Sequence, residues 1–499
     1  MVDTIRPETE TDRSERALAE LGLALPLRSS VVEIEASDEA LESPAGQKLV
    51  VLLVNVLARM KGVVSAIHLP GVGGQKVDVA VPVLGESLAD GIDWLALLLS
   101  THGSEHKARI EFGSHEAPTV RVAVGPQRDG AVIVGADAWR ALLGRYAGES
   151  DWQTTSPFGP AMAAVIAAAE VFKRLVAANG GTDSGRVSLH DLRFSLFNYG
   201  VDDAAESGPA NFNLTLRDVA VLGCGAGGTA ALYVLAMLPM LAGGIALVEP
   251  SVHKPSNLNR YLMASACDVT EPRHKLASVA EHLARFAPRL APTLYPLPWE
   301  QLTAPPWTTL ISTVDTVETR WQIQRRAVAG AEILDAAVLD LLYTVLRVVP
   351  GGWCLECKHP FDPLLPLKQR SARWGVPLET AQQWEVDDVV VTAEMIERLA
   401  QVQGIRAEMY AILDGKRWNE VTEIIECGET RLRADVPSQA PVLPLATTAA
   451  GVVLAAEVAK REIAPERQLQ NWLAHDLGRT PKPGMLSRFR QRREDCPRH

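Results

Sequence analysis

The run Val219-Ala-Val-Leu-Gly-Cys-Gly-Ala-Gly-Gly228 sets Gly223, Gly225 and Gly228 in a G-x-G-x-x-G spacing. It lies between an apolar strand-like stretch and a helix-like one. Glycine allows the tight turn and close backbone approach that a phosphate needs, and a helix start offers free N–H donors to an anion. Glu249 follows about twenty residues on, at the end of the next apolar run, where an acid can bind a ribose. Alone, this pattern indicates a nucleotide-binding α/β unit with NAD as the default ligand. A second cluster, Gly71-Val-Gly73-Gly74, opens no helix and reads as a loop. Cys354-Leu-Glu-Cys357 forms a C-x-x-C, a pattern that suits metal ligation.

Residues further along move the reading away from NAD. Ser256-Asn-Leu-Asn-Arg260 follows the Glu249 strand, Lys275 opens the next helix, and Asp315 ends the next strand within STVDTVETR. Taken singly, Lys275 reads as a solvated first-turn lysine, Asp315 as a strand-end cap and Arg260 as a surface ion-pair residue. Taken in this order, they resemble the ThiF/MoeB-type adenylation domain of ubiquitin-activating enzymes and sulfur-carrier adenylyltransferases. The resemblance covers about 214–351 and 440–462. It implies that Gly223, Gly225 and Gly228 cradle ATP, Glu249 binds the ribose and Asn257 donates hydrogen bonds. Arg260 and Lys275 would supply positive charge, and Asp315 would hold Mg²⁺. The chemistry is consistent: an anionic carboxylate must attack an anionic α-phosphate, so cations are required, and no general base is needed because the carboxylate is already ionised. Two positions depart from the family pattern. Ser251 stands where a second acid is common, and Thr316 where an asparagine is. The arginine that the family takes from a partner is not evident.

The resemblance also assigns the cysteines. Relatives carry half of a structural zinc site at the C-x-x-C. With no second C-x-x-C, the terminal Cys496-Pro-Arg-His499 would complete a Cys354, Cys357, Cys496, His499 set. Cys427, in IIECGET, stands where some ubiquitin-activating enzymes place a thioester-forming nucleophile, and a buried structural cysteine is the plainer alternative. Cys224 and Cys267 read as packing residues.

Alternating strands and helices from about Leu214 imply a Rossmann-like doubly wound parallel sheet. Residues 361–433 read as a helical insertion, and Pro437–Pro444 as an extended strand. The buried helix LATTAAGVVLAAEVAKR would rejoin the sheet across 434–475, and 476–499 form a tail. Residues 1–200 read as another α/β domain, by analogy an inactive adenylation-like half, with 201–213 a linker. No internal repeat is evident. The chain has 499 residues, 47% hydrophobic and 22% charged, with a net charge of −11. That charge argues against nucleic acid as the main partner. The uncharged stretch Val219–Val248 contains glycines and Pro239 and reads as strand and helix, not a membrane span. Six cysteines and a polar start fit a cytoplasmic protein without a signal peptide. The resemblance implies a ubiquitin-like protein as substrate, a conjugating enzyme and a homodimer as partners to consider, and bacterial conjugation operons, some in phage defence, as a setting. The alternative substrate is a sulfur-carrier protein of cofactor biosynthesis.

Overall fold

The computed structural model describes residues 23, 26–99, 108–125, 131–181, 189–303, 306–359, 365–403, 407, 410, 413–422, 443–481, 486–494 and 496. Cys427 and His499 lie outside them, as do most of the expected N-terminal arm and the extended stretch before Leu443.

The second half contains the expected sheet. Its strands are β8 (Leu214–Leu222), β9 (Leu241–Val248), β10 (Leu290–Tyr295), β11 (Thr309–Ser312), β12 (Glu332–Leu339), β13 (Leu342–Val348), β14 (Trp472–Asp476) and β15 (Ser487–Arg488), in the order β10-β9-β8-β11-β12-β13-β14-β15. The strands from β10 to β12 run parallel and the rest antiparallel. Parallel strands need helical crossovers, which cover both faces, so Val219–Leu222 at the sheet centre is a continuous buried apolar run.

The first half repeats this plan. Its strands are β1 (Val31–Ala36), β2 (Ala66–His68), β3 (Arg109–Glu111), β4 (Val120–Val124), β5 (Val132–Ala136), β6 (Arg140–Leu143) and β7 (Leu192–Ser195), in the order β3-β2-β1-β4-β5-β6-β7. The strands from β3 to β5 are parallel, and β6 and β7 are antiparallel. The apolar run at 49–60 lies almost wholly in the Pro44–Ala58 helix, and VDVAVPVL forms no strand. Where the second sheet leaves a glycine turn after its central strand, the first has Ser37 capping the short helix Asp38–Leu41, with Asp38 and Glu39 in its first turn.

The halves meet through buried helices. Pro44–Ala58 packs on Phe158–Ala178, Ala226–Ala236 packs on Pro444–Ile463, and Phe158–Ala178 packs on Pro444–Ile463. One apolar cluster runs through both halves. Gly451 permits the close approach: a Cβ there would lie 2.5 Å from Ala230 Cβ and 2.7 Å from the Ala231 nitrogen.

An internal repeat does exist, contrary to the sequence reading. The Phe158–Ala178 helix carries Ala168-Ala-Glu-Val-Phe-Lys-Arg174 and the Pro444–Ile463 helix carries Ala455-Ala-Glu-Val-Ala-Lys-Arg461. In each, the glutamate pairs with the lysine three residues on, Glu170 with Lys173 and Glu457 with Lys460, in full burial. Each glutamate also accepts a distant backbone N–H: Leu189 for Glu170 at 3.0 Å and Leu469 for Glu457 at 2.8 Å. Alanine-rich helices look alike in sequence, and the buried charges are what distinguish this pair.

The helices Leu365–Trp374, Leu378–Asp387 and Ala393–Gln403 form a small unit with its own core, in which Trp374, Trp384 and Trp418 meet edge-on or tilted with centroids 5.0–6.0 Å apart. Pro444 begins a helix instead of ending a strand. Among the described residues, no helix is long and apolar enough to cross a membrane.

Candidate active site

A cavity of about 630 Å³ opens over the carboxyl ends of β8, β9 and β11. This is the crevice where doubly wound sheets bind ligands, and the size suits a small molecule. Gly223, Gly225, Glu249, Arg260, Lys275 and Asp315 all line it. Residues far apart in sequence, chosen for one reaction, therefore share one crevice.

Each is placed by a local cause. Gly223 turns out of β8 with φ +88°, a left-handed conformation that a side chain would strain, and its N–H donates to the Val248 carbonyl at 2.9 Å. Gly225 is the N-cap of the Ala226–Ala236 helix, and no side chain caps that end. Its first N–H groups point where an anion would sit. Gly228 lies behind the lining: a Cβ there would come within 2.3 Å of the Gly223 carbonyl oxygen. Its task is to let strand turn and helix touch.

Glu249 follows β9 and is nearly buried. Ser251, the departure from the family pattern, donates both its hydroxyl and its N–H to Glu249 Oε1, the latter at 3.1 Å. Lys275 Nζ lies 3.6 Å from the same oxygen. Lys275 is the first residue of the Lys275–Phe286 helix, capped by His274. Tyr261 sits between the cations, with the Arg260 guanidinium 5.4 Å and Lys275 Nζ 5.2 Å from its ring centroid. Asn257 is buried behind the wall, where its Oδ1 accepts the Lys254 N–H at 2.9 Å and so shapes the turn that presents Arg260. Asp315 is exposed at the rim. Thr316, the second departure, caps the Val317–Arg326 helix by accepting from the Thr319 N–H at 3.3 Å.

Several lining residues were not singled out from sequence. Tyr261, Trp299, Glu300, Arg320 and His359 all reach the cavity. Arg320 was within reach, since it closes the D-x-x-x-x-R spacing that begins at Asp315. Its guanidinium donates to Asp335 Oδ2 at 2.7 Å and to the carbonyls of Val314 and Ala336, fixing the loop that carries Asp315. Asp335 is fully buried and also takes Lys358 Nζ at 2.8 Å and Ser312 Oγ at 2.8 Å. Burial opposes its ionisation, but Lys358 and Arg320 outweigh that and hold the carboxyl well below its usual range. His253 lies close by, its Nε2 2.7 Å from Ser278 Oγ, and burial lowers it to about 4.

The cysteines divide. Cys354, Cys357 and Cys496 are buried together, with Sγ separations of 3.6 Å (Cys354–Cys357) and 3.5 Å (Cys354–Cys496). Thiolates on one tetrahedral zinc lie about 3.8 Å apart for a metal–sulfur distance of about 2.3 Å, so the donor set fits. Backbone bonds hold the tail in place: Trp353 N–H to Arg490 O at 2.9 Å and Arg492 N–H to Gly351 O at 2.9 Å. Burial pushes the Cys224 thiol far above its ordinary value, as a packing residue requires. Cys267 is exposed at the start of a four-residue helix, so the packing expectation fails there.

The model of the ThiF family matches residues 208–497, more than half of the chain. The chain belongs to the ThiF family. The family is that of ThiF-type adenylyltransferases, which use ATP and Mg²⁺. Residues 31–189 match the model of the BilD N-terminal domain. The uncharacterized protein y4jF of Sinorhizobium fredii (strain NBRC 101917 / NGR234) is 25% identical over 450 residues, which cover 87% of this chain and 82% of y4jF. Among solved structures, E. coli MccB with AMPCPP and SeMet MccA is 14% identical with a TM-score of 0.35, over 56% of this chain and 65% of MccB. E. coli MccB with ATP gives a TM-score of 0.31 at 14% identity, over 56% and 64%. The ThiF-family chain thus spans a little under two thirds of MccB.

Proposed function

We propose that this ThiF-family chain activates the C-terminal carboxylate of a ubiquitin-like protein as an acyl adenylate. The observation that carries this reading is the convergence of the glycine turn, Arg260, Lys275 and Asp315 on one crevice. A triphosphate laid over Gly223–Gly225 would meet the N–H groups at the start of the Ala226–Ala236 helix. A carboxylate oxygen then attacks the α-phosphorus, and the bond to the pyrophosphate oxygen breaks. Arg260 and Lys275 would screen the approach of two anions and stabilise the charge that builds on the phosphoryl oxygens. Glu249 would receive the ribose hydroxyls. Asp315 would hold Mg²⁺, which supplies charge neutralisation for the leaving pyrophosphate when bound. The repeated strand order supports reading the first half as an adenylation-like domain without a nucleotide turn.

The proposal extends to a thioester on Cys427, supported by its sequence position alone, and to structural zinc on Cys354, Cys357 and Cys496 with His499 as fourth ligand. Zinc on three thiolates would pin the tail to the segment that carries Lys358 and His359. The test is isotope exchange between labelled pyrophosphate and ATP, run with candidate small proteins ending in glycine. Exchange should require the small protein and vanish in Asp315→Ala. Exchange that persists in that variant overturns the metal role. Exchange driven by a sulfur-carrier protein, with no thiol-sensitive conjugate lost in Cys427→Ala, would replace the ubiquitin-like reading.

A further inference from the structure

Arg59 closes the Pro44–Ala58 helix of the first half and is 1% exposed. Its guanidinium spends its donors on the other half of the molecule. One terminal nitrogen donates to the Leu258 carbonyl at 2.9 Å, and the other to the carbonyls of Leu262 at 2.9 Å and Ala264 at 3.0 Å. Its Nε donates to Asn55 Oδ1 at 2.8 Å, which fixes the plane of the fork. These partners are neutral, so the arrangement is not an ion pair. A buried cation that satisfies three carbonyls of one short segment is a device for fixing that segment's shape.

The segment matters because of what it carries. Leu258–Ala264 folds as successive turns, with Arg260 and Tyr261 N–H both donating to the Asn257 carbonyl at 3.1 and 3.0 Å. Arg260 and Tyr261 line the nucleotide crevice, while Leu258, Leu262 and Ala264 face inward and are buried. The first half grips the segment again just beyond, where the Ala266 N–H donates to the Leu98 carbonyl at 2.7 Å.

We infer that Arg59 is a positioning residue for adenylation: the first half holds the Leu258–Ala264 turn so that Arg260 and Tyr261 present their polar groups to the triphosphate. This rests on the nucleotide reading above. Lysine has one donor centre and cannot span three carbonyls in a plane. Arg59→Lys should therefore keep the fold and lose the alignment.

The experiment measures affinity for a non-hydrolysable ATP analogue with Mg²⁺ in the full chain, for wild type, Arg59→Lys, Arg260→Ala and the double variant. Binding of the analogue needs no partner protein. If wild type fails to bind, the nucleotide reading itself fails. If wild type binds, Arg59→Lys should bind roughly tenfold more weakly, and the loss should shrink to about twofold in the Arg260→Ala background, because neighbours that act through one another are not additive. Equal affinity in Arg59→Lys, or an undiminished loss in the double variant, overturns the inference. If Arg59→Lys does not fold, Asn55→Ala, which removes the acceptor of Arg59 Nε and the Asn55 bond to the Leu262 carbonyl at 3.4 Å, loosens the same grip and is read by the same cycle and the same criteria.

Discussion

Replacing Asp335 by asparagine tests whether the floor of the crevice is held by charge. The change keeps the size of the side chain and an acceptor for Ser312. Among the described residues it removes the one carboxylate paired with Lys358 Nζ at 2.8 Å and the Arg320 guanidinium at 2.7 Å, both of whose side chains are more than nine-tenths buried. Breaking a buried pair from one side typically costs about 3–5 kcal/mol, because a desolvated charge is left behind. Here two cations share one carboxylate, which points to the upper part of that range. Lys358 offers relief, since burial already lowers its pKa and it can shed its proton, which bounds the loss. Urea denaturation at neutral pH should show a loss of about 3–5 kcal/mol with an unchanged slope. A surface control, Glu281→Gln, weakens the exposed contacts with Arg273 at 2.8 Å and Arg285 at 3.3 Å and should cost under about 1 kcal/mol. ATP-analogue affinity should fall too, because Arg320 also fixes the Asp315 loop through the carbonyls of Val314 and Ala336. A stability change below about 1 kcal/mol in Asp335→Asn would refute the claim that this charge organises the floor.

Gly228→Ala should weaken nucleotide binding more than it weakens the fold. Its methyl group would meet the Gly223 carbonyl oxygen at 2.3 Å and push the turn outward, at roughly 1–3 kcal/mol, which titration calorimetry and thermal melting can apportion. Acidification should destabilise the chain through His253 and His475, both buried and both lowered to about 4. Because their folded values lie below the ordinary value of about 6.5, the unfolded state takes up protons first, so stability present near pH 7 drains away as pH falls from about 6.5 towards 4. The loss by about pH 5 is about 2 kcal/mol per histidine, and His475→Phe should flatten the profile of denaturation midpoint against pH. Metal analysis of the purified chain should find about one zinc, lost in Cys354→Ser together with the thermal midpoint. A zinc-free wild type, or a variant with full zinc, dismisses the site.

Much of the second half could be read from sequence because its chemistry is local. Gly223, Lys275 and Asp315 each sit where a strand meets a turn or a helix begins, and a parallel sheet gathers such points at one end. What resisted reading was whatever depended on distant partners. Asp335 looks like any residue of a buried strand until Lys358 and Arg320 fold onto it. Arg59 looks like a helix-ending arginine, yet its acceptors lie about two hundred residues away. Cys496 lies beside Cys354 and Cys357, a grouping of thiols that cysteine spacing can suggest. Cys267 did not pack, because an exposed four-residue helix gives sequence patterning no period to register.

The two halves share a plan but not a cradle. At the position where β8 yields to glycine and an open helix end, β1 yields to a capped turn bearing Asp38 and Glu39. Carboxylates in a first turn disfavour a bound anion nearby. On the proposed reading, at saturation each chain should take up a single nucleotide, in the half whose central strand ends in glycine.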